Sequence, residues 1–254
     1  MLAIVFSYLI GSIPVGLIVA RIAGGIDIRE HGSGNIGLTN VVRTLGWGPG
    51  LVTGVIDFLK GYIPVYITIV HFKPEQFSGV STIYEAIVIM VAAAIMLGNF
   101  YPVYLLFKGG KGIATGLGVM SALLGVFIFI PLAIFGIVLF AVRYVSLASI
   151  TAALTVPLTV WILSGHLQFI QIASESTTAK PILLIFTWLV VLTIFWRHKN
   201  NISRILKGTE PKIGKLREPK LIAVGNDPGA PLPEPESVIT NEAEEMVIAE
   251  EDEK

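Results

Sequence analysis

Apolar residues run along this chain in long blocks broken by short polar connections, the pattern of helices that cross a bilayer. The blocks predict spans at 2–23, 48–70, 83–106, 113–129, 131–145, 148–165 and 181–197. Pro131 leaves one point open, because it either separates the fourth and fifth spans or kinks a single long helix. Met1 leads straight into an apolar block with no basic n-region, so that block reads as the first span and not as a secretory leader. The expected architecture is an all-α, polytopic integral membrane helix bundle of about seven spans.

Composition agrees: of 254 residues, 54% are hydrophobic and 14% charged, far from a soluble globular chain. There is no cysteine, which removes disulfides and thiolate chemistry. The formal net charge of zero hides an asymmetry. Residues 1–220 carry 17 Lys and Arg against 8 Asp and Glu, whereas residues 221–254 carry one Lys against 10 Asp and Glu. The last segment also contains "DPGAPLPEPE", so 1–220 reads as a basic membrane domain and 221–254 as a disordered acidic tail.

The positive charges set the expected sidedness. Arg21, Arg29 and Arg43 fall at the first connection, Lys108 and Lys111 at the third, and Arg143 near the fifth. Arg197, Lys199, Arg204, Lys207, Lys212, Lys215, Arg217 and Lys220 follow the last span, while the second and sixth connections hold only Lys73 and Lys180. Positively charged connections stay cytoplasmic. Seven spans then put the N-terminus outside and the C-terminus in the cytoplasm, and a five-span version with re-entrant segments has the same polarity.

The polar connections on that side carry the candidate chemistry. The first reads "HGSGNIGLTNVVR", residues 31–43. Gly32, Gly34 and Gly37 allow successive amides to point at one anion; Ser33, Asn35, Thr39 and Asn40 add donors, and Arg43 can grip a phosphate. A glycine-rich turn with a capping Asn reads equally well. The third connection sets Lys108 and Lys111 among Gly109, Gly110 and Gly112, just before an apolar helix. That places a helix N-terminus behind a glycine-lysine loop, a ready anion site, although it is not a Walker A loop; the bland reading is a tight turn with two topogenic lysines. After the last span, His198, Asn201 and Arg204 are three apart and share a helix face, with Glu210 just beyond Gly208; a basic segment lying on lipid headgroups is the alternative. Asp57 and Lys60 lie inside the second span, three residues apart, either as a structural ion pair or as a wall of a polar cavity. The four histidines show no metal-ligand spacing, and neither cofactor nor nucleic acid is expected.

Taken in order, "GSGNIGLTNVVRTLG", "DFLKG", "FYPVYLLFKGGKGIATG", "RYVSLAS" and "RHKNNISRILKGTE" closely resemble the bacterial acyl-phosphate:glycerol-3-phosphate acyltransferase family, from Gly11 to about Lys212. The resemblance implies an inner-membrane enzyme with its site on the cytoplasmic side. It would move an acyl group from acyl-phosphate to the 1-hydroxyl of glycerol 3-phosphate, giving lysophosphatidate and phosphate, the opening step of phospholipid synthesis. Carried over by motif, Ser33, Arg43, Lys108, His198 and Asn201 would bind glycerol 3-phosphate. Gly109, Gly110 and Gly112, with Ser146, would contribute to the phosphate cradles. Gly32, Gly34, Asn35, Asn40, Lys111 and Arg204 complete the expected binding set, and Glu210 would hold the third motif in shape.

Phosphate is a competent leaving group, so holding two anionic substrates together would supply much of the rate. The resemblance favours a substrate phosphate oxygen as the proton acceptor, ahead of His198 as base. Two positions depart from the family pattern: Asn99 stands where it has His, and Leu38 where Ala is common. Asn hydrogen-bonds but cannot carry a charge. An organic-phosphate transporter is the alternative from a different class; its weakness is that such sites sit near the midplane within inverted repeats, which are not visible here. A lipid-binding regulator would explain the basic C-terminal segment but not the paired glycine loops.

Overall fold

A computed structural model describes residues 1–72, 81–163, 166 and 179–213. Its helices are α1 Leu2–Ser12, α2 Val15–Gly24, α3 Leu38–Leu45, α4 Trp47–His71, α5 Ser81–Phe100, α6 Ile113–Leu124, α7 Phe129–Val142, α8 Val145–Leu163, α9 Ala179–Arg197 and α10 Lys199–Leu206. No strand occurs among the described residues. The second and sixth connections lie largely outside them, as do Lys215, Arg217, Lys220 and the acidic tail.

Six runs among the described residues are helical, long and apolar enough to cross a membrane: Leu2–Gly24, Trp47–His71, Ile83–Leu105, Ile113–Val142, Val145–Leu163 and Lys180–Arg197. The fourth is 30 residues long and corresponds to the two spans expected at 113–129 and 131–145. It breaks at Gly125, where φ is 59° and a 3-10 segment covers Gly125–Ile128. Pro131 neither kinks nor separates the helices. It sits in the first turn of α7, where its missing N–H has no partner to lose. Gly112, before α6, and Val145, after α7, line the same cavity, so the run doubles back instead of continuing as a rod of about 45 Å.

The first run is broken too. Pro14 offers no donor, and α1 ends at Ser12. Lys60 Nζ donates to the Ile13 carbonyl at 3.0 Å, satisfying an acceptor that the interruption frees.

Glycine sets how closely the helices approach. On α1 and α5, a Cβ at Gly11 would strike the Ile95 carbonyl, and one at Gly98 the Tyr8 carbonyl. On α4 and α6, Gly61 meets the Thr115 carbonyl and Gly118 the Phe58 carbonyl. These reciprocal pairs let backbones touch, the small-residue packing that membrane helices use where there is no hydrophobic drive between them. The core they enclose includes Val65, Tyr84, Val88, Val91, Ile95, Val119, Leu123, Val160 and Leu183, all without exposed surface. Leu51, Val55, Ile67, Phe140 and Leu192 are exposed on the spans, the surface a bilayer covers.

Candidate active site

The first motif is built around one amide. Asp27 begins the loop: its carboxylate caps the Arg29 amide at 3.0 Å and pairs with the Arg29 and Arg21 guanidiniums. The Arg29 side-chain hydrogen bond, joined by its backbone amide, holds this carboxyl well below the usual range. Asn40, buried on α3, then braces the turn. Its Oδ1 accepts from the Ser33 amide at 2.8 Å, and its Nδ2 donates to the carbonyls of Ile28 and His31 at 3.1 and 2.9 Å. Gly32 has φ 59°, and a Cβ there would meet Asn40 Oδ1. Asn35 Oδ1 takes the Gly37 amide at 2.9 Å, and the Gly34 amide donates to His31 O at 3.0 Å.

This corrects one expectation. The amides of Ser33, Gly34 and Gly37 are occupied within the loop and do not point together at an anion. Asn40 and Asn35 present side-chain oxygens to the Ser33 and Gly37 amides, as short polar side chains do in turns, and the His31 carbonyl takes the Gly34 amide. What the loop delivers to the cavity is side chains, including Ser33 and Arg43. Gly32 and Gly34 do not line it.

The second motif follows α5. Leu106 and Phe107 turn the chain at positive φ, 49° and 63°, and both are exposed. Gly109 lies so close to the Asn99 carbonyl that a Cβ would collide with it, and the Gly110 amide donates to that same carbonyl at 3.2 Å. Gly110, Lys111 and Gly112 reach the cavity, together with the first turn of α6, whereas Lys108 is exposed outside it. Asn99, in the place where the family pattern has His, accepts a hydrogen bond from the Thr115 hydroxyl at 3.1 Å and lines the cavity.

The third motif closes the far wall. Glu210, buried, accepts from the Ser146 hydroxyl at 2.7 Å, from Asn201 Nδ2 at 2.6 Å and from Arg204 Nε at 2.8 Å. Burial pushes its carboxyl up, but the bonds from Asn201, Ser146 and Arg204 outweigh it and hold the pKa below the usual value. Asn201 Oδ1 in turn accepts from Lys111 Nζ at 2.5 Å, linking the second and third motifs. Arg43 reaches across to the Pro211 carbonyl at 3.4 Å, linking the first.

His198 is buried, with Nδ1 at 2.8 Å from the Ile194 carbonyl. A carbonyl only accepts, so the bond assigns the proton to Nδ1 and leaves the Nε2 lone pair free in the neutral ring. Burial, reinforced by the Lys111 charge against the Ile194 bond, pushes this pKa down to about 4. Burial also brings Lys111 down to about 8, against the pull of Glu210, and lowers Arg43.

These parts surround a cavity of about 270 Å³. Asp57 and Lys60 also line it, paired at 2.7 Å, so the two readings of that pair hold together: an ion pair that is also a wall. Lys60 answers Asp57, and Arg204 answers Glu210. Among the described residues lining the cavity, Arg43 and Lys111 are the cations with no carboxylate in salt-bridge contact. Two uncompensated cations in a partly buried cleft favour an anionic ligand.

An apolar cavity of about 140 Å³ adjoins the polar one, among α6, α7, α8 and α9. Ile113, Leu117, Phe135 and Ser149 line both. No sequence motif marked these positions. On a span every face is apolar, so nothing distinguishes a residue lining a cavity from one facing lipid.

Fold and site together define an integral membrane protein with a cationic pocket opening onto an apolar one, the arrangement for a substrate with an anionic head and a greasy tail. Comparison with known proteins gives the family. The sequence profile described as glycerol-3-phosphate acyltransferase matches residues 1–208. A glycerol-3-phosphate acyltransferase of Endomicrobium trichonymphae is 42% identical over 212 residues, 84% of this chain and 94% of that protein. One from Acholeplasma laidlawii is 38% identical, over 85% and 94%. Among solved structures, PlsY (YgiH), an integral membrane glycerol 3-phosphate acyltransferase, is similar in its glycerol 3-phosphate form, with 35% identity, a TM-score of 0.69 and coverage of 85% of this chain and 96% of that one. Its lysophosphatidic acid form gives 34% and 0.69, over 85% and 95%. The chain belongs to the glycerol-3-phosphate acyltransferase family and is an acyltransferase.

Proposed function

We propose that this protein transfers a fatty acyl group from acyl-phosphate to the 1-hydroxyl of glycerol 3-phosphate, at the cytoplasmic face of a bacterial inner membrane. The products are lysophosphatidate and inorganic phosphate. The observation that carries the reading is the junction of two cavities. One holds Arg43 and Lys111 free of carboxylate partners, and the other is apolar and of a kind to take an acyl tail.

Arg43 and Lys111 receive the two phosphate groups, offsetting the repulsion between two anionic substrates. Ser33 adds a hydroxyl donor at the mouth, while Asn201, Ser146 and Arg204 act through Glu210 to keep Lys111 and the third motif in register. The glycerol hydroxyl oxygen attacks the acyl carbonyl carbon. The new ester C–O bond forms, the bond from the carbonyl carbon to the phosphate oxygen breaks, and phosphate departs. The oxyanion in between is stabilised by the donors already present.

The hydroxyl proton ends on the departing phosphate, because a fully deprotonated phosphate is a poor leaving group near neutral pH. Direct transfer to a substrate phosphate oxygen accomplishes both tasks in one step. A second reading is favoured by the Nδ1 bond to Ile194: His198 Nε2 accepts the proton and passes it on.

The test is to incubate the purified protein in lipid with palmitoyl-phosphate and labelled glycerol 3-phosphate and look for labelled lysophosphatidate. Product from the wild type and its loss in Arg43→Ala is expected. Folded protein that forms no product would sink the reading and bring transport of an organic phosphate to the front.

A further inference from the structure

Resting on that reading, we propose that Met120, Ile128, Val156 and Thr187 form the floor of the acyl-chain site and set which chain lengths this enzyme uses. The apolar cavity is bounded by equal lengths of four helices. Its lining runs from Ile113 to Met120 on α6, back from Phe135 along α7 to Ile128 at the end of the 3-10 segment, from Ser149 to Val156 on α8, and back from Ile194 to Thr187 on α9. The upper residues lie at the polar end: Ile113, Phe135 and Ser149 line both cavities, and Ile194 carries the carbonyl that binds His198. Each stretch advances seven residues, about 10 Å along a helix, between the polar end of the cavity and its lower residues.

Beyond Met120, Val156 and Thr187 the walls on α6, α8 and α9 are closely packed. Leu123 and Leu124 on α6, Val160 on α8 and Leu183 on α9 are the next turn along, each with no more than 1% exposed surface. Met120, Ile128 and Val156 belong to the same packed cluster, and Thr187 is fully buried with its hydroxyl bonded to the Leu184 carbonyl at 3.0 Å. A straight hydrocarbon chain with bonds of about 1.5 Å at about 111° advances about 1.25 Å per carbon, so about eight carbons fit between rim and floor. Leu132, which lines the cavity and is 40% exposed, marks a side open toward lipid, the route by which a chain enters. A chain too long for the floor has to bend out through that side, and one too short leaves apolar surface unfilled.

The discriminating experiment uses the full chain in lipid nanodiscs with hexanoyl-, octanoyl- and palmitoyl-phosphate as donors, the first two short enough to end at or above the floor. Val156→Phe raises the floor and Met120→Ala lowers it. Val156→Phe is expected to reduce kcat/KM for octanoyl- relative to hexanoyl-phosphate by roughly tenfold or more, the scale of methylene discrimination in an apolar pocket. Met120→Ala is expected to move the ratio the other way. KM for glycerol 3-phosphate should stay at the wild-type value in both, which a general loosening of the site would not give. If Val156→Phe loses its thermal transition, Met120→Ala carries the test alone. Variants that turn over every donor with the wild-type ratios overturn the ruler and leave the acyltransferase reading intact. A wild type that uses none of the three donors overturns both.

Discussion

Lys108 and Lys111 are three residues apart in one glycine-rich loop, and their sequence context is nearly the same. The structure separates them: Lys111 is partly buried, bonded to Asn201 and inside the cavity, while Lys108 is exposed beyond it. A cation held in a low-dielectric cleft acts on substrate charge far more strongly than one in water. Lys111→Ala should therefore cut kcat/KM on the order of 100-fold, and Lys108→Ala less than roughly tenfold, in the lysophosphatidate assay. Equal losses would show that Lys108 also reaches substrate. His198 gives a second prediction at this scale. Its folded pKa, about 4, lies below the free value near 6.5. Between those values the unfolded chain takes up a proton that the folded one refuses, so this group's contribution to stability falls as pH drops through the window and is flat above it. For the reaction, transfer to substrate phosphate predicts an acid limb of kcat/KM near pH 6, the second pKa of a phosphate monoester, which persists in the residual activity of His198→Asn. A limb nearer pH 4 that vanishes in that variant would identify His198 as the base. The motif residues were legible because polar side chains are conspicuous in an apolar chain. A capping Asn was legible in that turn, but not that Asn40 fills the part, since its partners include carbonyls of residues 28 and 31 whose direction only the folded loop decides.

At the scale of elements, helix positions followed from apolar block length, but two breaks required geometry. Pro131 was the visible candidate for interrupting the 113–142 run, yet Gly125 does it, because a glycine can take positive φ while a proline in a first turn disturbs nothing. The glycines of α1, α4, α5 and α6 were equally opaque as a string of letters, because their value lies in the carbonyl each one meets on another helix. Gly98→Leu should push α1 away from α5, since the obstructing atoms are the Tyr8 carbonyl and the Ser12 amide, and backbone cannot move aside as a side chain does. The expected cost is about 1–3 kcal/mol, read as a lower thermal midpoint in detergent. Gly48→Ala, where nothing lies within 4 Å of the added carbon, should leave the midpoint within about a degree, because surface changes away from special features alter stability little. A Gly98→Leu protein as stable as the wild type would mean that this close approach is not what fixes the helix pair.

For the whole molecule, the cavity constrains topology. Ser33 from the first connection, Lys111 from the third, Ser146 at the start of α8 and Glu210 after α10 all line it, so these segments share one side of the membrane. Between the first connection and the C-terminal segment, the chain must then cross an even number of times. The runs at Trp47–His71, Ile83–Leu105, Val145–Leu163 and Lys180–Arg197 give four crossings, and a single pass through Ile113–Val142 would make the number odd. Counting α6 and α7 as separate passes restores an even number and gives seven in all, at about 18 and 21 Å each against a core near 30 Å, and a re-entrant α6–α7 pair gives five with the same polarity. Because the chain has no cysteine, an introduced one is a unique probe of sidedness. A membrane-impermeant thiol reagent applied to intact spheroplasts should label Leu2→Cys, at an exposed N-terminal position. Glu30→Cys and Lys207→Cys, both exposed, should react only after the membrane is opened. If Leu2→Cys and Lys207→Cys react alike, the termini share a side, and the 113–142 run crosses once. The cavity would then have to gather its walls differently in the bilayer.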